Sequence, residues 1–402
     1  MKKILSTITT RLLMSFQAIG FGRTILATML VCLSFGMASA QLNSHPTLAI
    51  GSAAPDFSLQ GVDGKTYTLQ SFAKSKFLVV IFTCDHCPTA QAYEDTIKNL
   101  VTAYMPKKVA FVAISPNDAQ SIRLDEMGFT DLGDSFDEMK IRAKDKNFNF
   151  PYLFDGATSN VSMLYGPQAT PHVFIFDQQR KLRYTGRIDN GLGIPGAANT
   201  FDTKNALDEL LSNQPVKVEK TKTLGCSIKW PSKHDLVAAE AASWKTEKVA
   251  LQNLSIDSLK ALLANTTNNY RLVNVWATWC GPCVTEFPDF VTMNRMYRHR
   301  NFETISISMD ELGRTPAVTS FLEQKQASFK NYIAVGDKYQ IIDAINKDWQ
   351  GALPYTALIA PGGKVIYSTQ GAIDPYEMKK IIVNSLGRVF EIPEKYRAQL
   401  LK

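Results

Sequence analysis

Past residue 40 the chain has no long apolar run, so nothing there offers a comfortable transmembrane span. The first 40 residues contain no acid. Their only charges are Lys2, Lys3, Arg11 and Arg23, and without this segment the formal net charge falls from +7 to +3. The apparent basicity therefore belongs to the N-terminus, and nucleic acid is not an implied partner. Cysteine is sparse, with six in 402 residues. A chain this long does not need staples, and adjacent cysteines close only very short loops, which excludes a static disulfide scaffold. Disorder is excluded too, because 45% of the residues are hydrophobic.

The N-terminus reads as an export signal. An apolar run over residues 25–37 leads to Ala38-Ser39-Ala40, a small-x-small cleavage site. Met14 is an alternative start that gives a more compact signal. Cys32 does not make a lipid anchor, since bulky Val31 precedes it and the apolar run continues beyond it. The expected product is a soluble periplasmic protein in an oxidising compartment, where disulfides persist.

The mature chain keeps Cys84, Cys87, Cys226, Cys280 and Cys283. Four of them form two Cys-x-x-Cys pairs, Cys84-Asp85-His86-Cys87 and Cys280-Gly281-Pro282-Cys283. Each pair follows an apolar strand pattern, residues 77–82 and 271–278, and opens a helical one. A strand that delivers two cysteines to the first turn of a helix is a redox device. The helix N-terminus favours a thiolate, and the second sulfur can resolve a mixed disulfide on the first.

The order of elements around each pair is α/β with one central sheet. The first domain spans 46–215. It starts with a hairpin about Asp63-Gly64, followed by strand 77–82, helix 88–104, strand 109–114, a helical insert 135–145, a hairpin over 173–187 and a closing helix 204–211. The second, 249–390, repeats the pattern with strands 271–278 and 302–309, a hairpin about Pro361-Gly362-Gly363 and a closing helix 375–386. Residues 216–248 form a linker whose Gly225-Cys226-Ser227-Ile228-Lys229-Trp230 stretch is too apolar for a tether and is expected to pack on the first domain.

The segment Val275-Trp276-Ala277-Thr278-Trp279-Cys280-Gly281-Pro282-Cys283-Val284-Thr285-Glu286-Phe287-Pro288 resembles the exported TlpA/ResA branch of the thioredoxin superfamily, over roughly residues 250–390. The resemblance implies two tandem thioredoxin-like domains, each a central mixed β-sheet flanked by helices. It makes Cys280 the exposed nucleophile, Cys283 the resolving thiol, Pro354 the substrate-aligning cis-proline, and Cys280–Cys283 a redox disulfide. Asn274 stands where thioredoxin keeps a buried Asp. Glu286 either takes over that thiol-tuning role or is an exposed helix-face carboxylate.

The first domain is similar to the redoxin (AhpC/TSA, peroxiredoxin-like) branch over roughly 49–231. The similarity rests on Gly51-Ser52-Ala53-Ala54-Pro55-Asp56-Phe57, the Asp63-Gly64-Lys65 hairpin, Cys84-Asp85-His86-Cys87-Pro88 and residues 155–171, and Gly225-Cys226-Ser227-Ile228-Lys229-Trp230 resembles a tail motif of one peroxiredoxin-like subgroup. Aligning Cys87 with a peroxidatic cysteine puts Val80 and Cys84 where Pro and Thr belong, so the peroxide cradle is missing. Pro171 is instead the implied cis-proline, and Cys84–Cys87 a second redox disulfide. His86 precedes the second cysteine as in strongly oxidising pairs, and Asp85 opposes it electrostatically. A gap like that between protein disulfide isomerase and thioredoxin, about 90 mV or roughly 4 kcal/mol for two electrons, would send electrons from the second domain to the first.

The expected function is exported dithiol–disulfide exchange on protein substrates, fed by a membrane-bound electron donor, with no organic cofactor and no metal. One alternative is a peroxiredoxin-like peroxidase with an in-cis reductant. A lower alternative is a copper chaperone using Cys84, His86, Cys87 and His172. Cys226 is either a buried apolar thiol or a resolving partner of the first pair. His45, His234 and His299 read as unpartnered surface residues.

Overall fold

The computed structural model describes residues 45–389. The expected signal segment, its cleavage site and Cys32 lie outside the described residues, as does residue 390 at the expected end of the second domain. Among the described residues, no helix is long and apolar enough to cross a membrane.

The first domain contains β1 (Ser58–Gly61), β2 (Thr66–Thr68), β3 (Phe77–Phe82), α1 (Pro88–Ala92), α2 (Glu94–Tyr104), β4 (Val109–Ser115), α3 (Phe136–Asp145), β5 (Tyr152–Phe154), α4 (Asn160–Tyr165), β6 (His172–Phe176), β7 (Leu182–Gly186) and α5 (Asp202–Leu211). Its seven-stranded mixed sheet has the order β2-β1-β5-β4-β3-β6-β7. Strand β3 is central, parallel to β4 and antiparallel to β6. Both of its faces are covered, which is why it reads as the unbroken apolar run Phe-Leu-Val-Val-Ile-Phe. One face packs on Tyr93, Ile97 and Val101, the other on Tyr165 and Leu182.

The single helix expected over 88–104 is two. Tyr93 breaks it, because its N–H turns back to Ala90 O and its hydroxyl is held by Asp189 at 2.6 Å. Strand β5 is three residues long, too short to leave an alternation.

The segment 216–248 packs on the first domain. It follows the edge of β7, where Thr185 N–H donates to Glu219 O and Thr221 N–H to Thr185 O. It then crosses the end of β6 and forms α6 (His234–Trp244). Lys229 is only 4% exposed, its N–H bonded to Asn117 and its Nζ to Glu126.

The second domain contains β8 (Leu251–Ser255), α7 (Ile256–Leu263), β9 (Tyr270–Trp276), α8 (Gly281–Tyr297), β10 (Phe302–Ser308), α9 (Thr315–Gln324), β11 (Lys330–Val335), α10 (Lys338–Ile345), β12 (Tyr355–Ile359), β13 (Val365–Gln370) and α11 (Pro375–Leu386). Its six strands run β13-β12-β9-β10-β11-β8. Two tandem thioredoxin-like domains, each a mixed sheet flanked by helices, are therefore present as the sequence led us to expect.

The domains are not independent beads. They form one compact unit, joined where residues 124–131 pack on the end of α8. Leu124 and Met127 enter the second domain's core. The Tyr297 hydroxyl donates to Thr130 O at 2.8 Å, and Arg388 forks onto both Asp131 oxygens at 2.7 and 2.9 Å. Gly128 lies close against α8, where a Cβ would crowd Met296 O at 3.0 Å.

Candidate active sites

The second site is built at the top of β9. Cys280 is the N-cap of α8, and its Sγ accepts the Cys283 N–H at 3.3 Å. Cys280 and Cys283 are joined in a disulfide. The Leu353–Pro354 peptide bond is cis. The loop before the pair is pinned by Asp310, which accepts the Thr278 N–H at 2.8 Å and hydroxyl at 2.6 Å. Asp310 was not singled out from sequence, since a lone Asp after a strand carries no signal. Cys280 is not exposed as expected but 6% exposed, packed with Trp276, Phe287 and Leu353. The exposed group is its neighbour Trp279, at 63%.

Glu286 lies one turn beyond Cys283 and is buried, so the exposed-carboxylate reading is wrong. Asn274 Nδ2 donates to its Oε1 at 3.1 Å and the Ile373 N–H to its Oε2 at 2.9 Å. Burial raises its carboxyl above the usual range despite these two bonds.

The first site has the same spacing but a different register. Phe82 pairs with His172, the residue after Pro171, and Val275 pairs with Tyr355, the residue after Pro354. Phe82 and Val275 are thus equivalent, and five residues on from each stand Cys87 and Cys280. Cys87, not Cys84, is the N-cap of α1, and its Sγ accepts the Ala90 N–H at 3.4 Å. Cys84 occupies the place of Ala277, and Ala90 that of Cys283. The Thr170–Pro171 bond is cis.

Cys84, Cys87 and Cys226 are thiols. Cys84 Sγ lies 3.1 Å from the Thr170 hydroxyl. Cys226, half-buried, packs against Cys84 and Cys87, and the Cys87 thiol donates to Thr170 O at 3.4 Å. Burial raises the Cys87 thiol, but the bonds from Cys226 and Cys84, the His86 charge and the Ala90 N–H together bring it well below its ordinary value. Burial, the hydrogen bond to Cys87 and the Asp134 carboxylate push Cys84 well above it.

His86 is tied up rather than free to act on the sulfurs alone. Its Nδ1 lies 2.6 Å from Asp134 Oδ2, in a pair almost wholly shut from solvent. Asp134 also accepts the Asp85 and His86 N–H groups and Asn117 Nδ2. Burial opposes the His86 charge, but Asp134 more than restores it and holds the imidazole above its usual value. Asp85 does not oppose His86 as an anion. Burial and Asp134 push its carboxyl well above the usual carboxylate range, and Tyr152 donates to it at 3.0 Å. Asp134, Asn117, Tyr152 and Thr170 form this pocket from four separate loops and strands, so no local pattern announces them.

The metal set of the copper-chaperone alternative does not assemble. His172 points to Thr185 at 2.9 Å and takes the Gln168 N–H on its other nitrogen, and burial lowers its pKa to about 3. Cys84, His86 and Asp134 place ligand atoms within 4.8 Å of one another, yet they are already bonded to Thr170, to Asn117 and to each other. Of the histidines expected on the surface without partners, His234 is exposed but paired with Asp118, His299 is exposed, and His45 is half-buried.

Comparison with known proteins agrees with this division. The AhpC/TSA family model matches residues 50–185 and the Redoxin model residues 248–386. The thiol-disulfide oxidoreductase ResA of Oceanobacillus iheyensis is 28% identical over 29% of this chain and 58% of its own length. That of Bacillus subtilis is 29% identical over 25% of this chain and 52% of its own. The chain thus spans little more than half the length of these curated relatives. A hypothetical protein from Sinorhizobium meliloti is 30% identical over 46% of this chain and 97% of that one, with a TM-score of 0.42.

Proposed function

Because the chain belongs to the thioredoxin superfamily, with two redoxin-type domains in tandem, we propose that it is an exported thiol-disulfide oxidoreductase acting on protein dithiols and disulfides. The observation that carries the reading is the Cys280–Cys283 disulfide at the head of α8. In the reduced enzyme the Cys280 thiolate attacks a substrate disulfide, forming a mixed disulfide and releasing one substrate thiolate. Cys283 then attacks Cys280, the enzyme disulfide forms and the second thiolate leaves. Buried Glu286 is the proton carrier for Cys283. Exposed Trp279 is the apolar surface on which a substrate chain rests. The N-terminal export pattern supports an exported protein, and a membrane-bound donor is the electron source proposed for it.

In the first domain Cys87 is the attacking sulfur. The peroxidase alternative gains little, because Cys87 is bonded to the Ala90 N–H and Thr170 O and packed by Cys84 and Cys226. The buried guanidinium of Arg142 is engaged by Glu94 at 2.7 Å and by Asp131.

Dithiothreitol-coupled insulin reduction tests the proposal. The wild type is expected to be active, Cys280→Ser to fall to background, and Cys283→Ser to accumulate mixed disulfides identifiable by mass spectrometry. Undiminished insulin reduction by Cys280→Ser would contradict it.

A further inference from the structure

The residue before the cis-proline presents a free backbone edge next to the reactive sulfur. In the second domain that residue, Leu353, makes no backbone hydrogen bond among the described residues. In the first domain the edge is already taken. Thr170 forms an antiparallel β-bridge with Cys226, its N–H donating to Cys226 O at 3.0 Å. The chain that takes it carries a cysteine at the bridging position, with its sulfur against Cys87.

This placement is held from both sides. Upstream, Thr221 N–H reaches Thr185 O at 3.1 Å. Downstream, Asp118 N–H donates to Lys229 O at 2.9 Å, Lys229 N–H to Asn117 at 2.8 Å, and Lys233 Nζ to Ile228 O at 2.7 Å. The approach is close enough to require glycine at 225, where a Cβ would sit 1.9 Å from Thr170 O.

We propose that residues 224–230 are a built-in substrate strap, and that Cys226 is the resolving thiol that forms a disulfide with Cys87. The inference rests on the exchange reading of the first site and deepens it. The Cys87 thiolate attacks an incoming disulfide, one S–S bond forms, the old one breaks and the first substrate thiolate leaves. Cys226 gives up its proton and attacks Cys87 Sγ. The Cys87–Cys226 bond forms, and the second substrate thiolate leaves and is protonated. The substrate disulfide gains two electrons, and Cys87 and Cys226 are together oxidised by two. With its peptide edge occupied, the first site takes small disulfides or a partner that displaces the strap, while the open second site takes extended protein chains.

The test is disulfide mapping of the full chain, reduced and then exposed to glutathione disulfide. Cys84 and Cys87 share the tryptic peptide 77–98, and Cys226 lies in 223–229. A cross-link between these peptides is expected in the wild type and in Cys84→Ser, and not in Cys87→Ser. Gly225→Ala should lower its yield several-fold and speed alkylation of Cys226. A bond between Cys84 and Cys87 with Cys226 left alkylatable would overturn the strap but keep the exchange reading. Oxidation of Cys280 and Cys283 alone, with all three first-site thiols unreacted, would overturn both. Fragmentation of the wild-type cross-link, which places the bond on Cys87 or on Cys84 within 77–98, decides the question even where a variant fails to fold, and a bond on Cys84 would overturn the assignment.

Discussion

The two Cys-x-x-Cys sites share a spacing and differ in which sulfur caps the helix. In the second domain the first cysteine of the pair, Cys280, is the cap and the second lies inside the first turn. In the first domain the second cysteine, Cys87, is the cap, and Cys84 stands upstream on the strand side. The difference of three residues changes the available chemistry. Cys283 has its place in the helix as a resolving thiol, whereas Ala90 fills that place in the first domain. A third thiol, Cys226, arrives from a distant segment. Spacing identifies a pair of sulfurs, and the end of the strand decides their roles.

The charge networks differ in the same direction. The first site leans on a buried ion pair, the second on a buried neutral-leaning carboxyl. The largest effect that would break the comparison is therefore His86→Ala. It leaves Asp134 charged and unpaired in the interior and is expected to cost about 3–5 kcal/mol in urea unfolding near pH 6. The pH dependence has a definite sign. His86 is held above its usual 6.5, so its contribution is complete below that pH and fades as pH rises through its higher folded value. Asp134 is held below its usual 3.8, so its share fades only as pH falls through the lowered value. The gap between wild type and His86→Ala should narrow in alkaline buffer. A gap that widens there would contradict the pairing.

Glu286→Gln sharpens the comparison from the other side. It keeps the shape and removes the titrating group, so insulin reduction should slow about 10²-fold, the low end for a lost general acid–base group. The wild-type rate should inflect at a pH above the usual carboxyl value of 4.5, because burial raises Glu286, and the variant should lack that inflection. An unchanged pH profile would reduce Glu286 to a packing role.

Much of the architecture was legible. Strand β3 was visible in full because both faces of a central strand are covered, and the closing helix α11 lies over the expected 375–386. What was hidden is non-local. Strands β8 and β11 are edge pieces of mixed polarity. The break at Tyr93 depends on Asp189, and the strap depends on Thr170. At the second site, Cys280, Cys283 and Pro354 were visible as a motif, while the burial of Glu286 was not. At the first site the cysteines were visible but which of them caps the helix was not, because the register of β3 against β6 cannot be read from the motif itself.

The central claim is that Cys87, the helix-capping sulfur, is the attacking thiol of the first site. It is tested most directly by exposing two reduced double variants, Cys84→Ser with Cys226→Ser and Cys87→Ser with Cys226→Ser, to glutathione disulfide and mapping peptide 77–98. The account predicts a glutathione adduct on Cys87 in the first variant and none on Cys84 in the second. An adduct on Cys84 with Cys87 unreactive would contradict it.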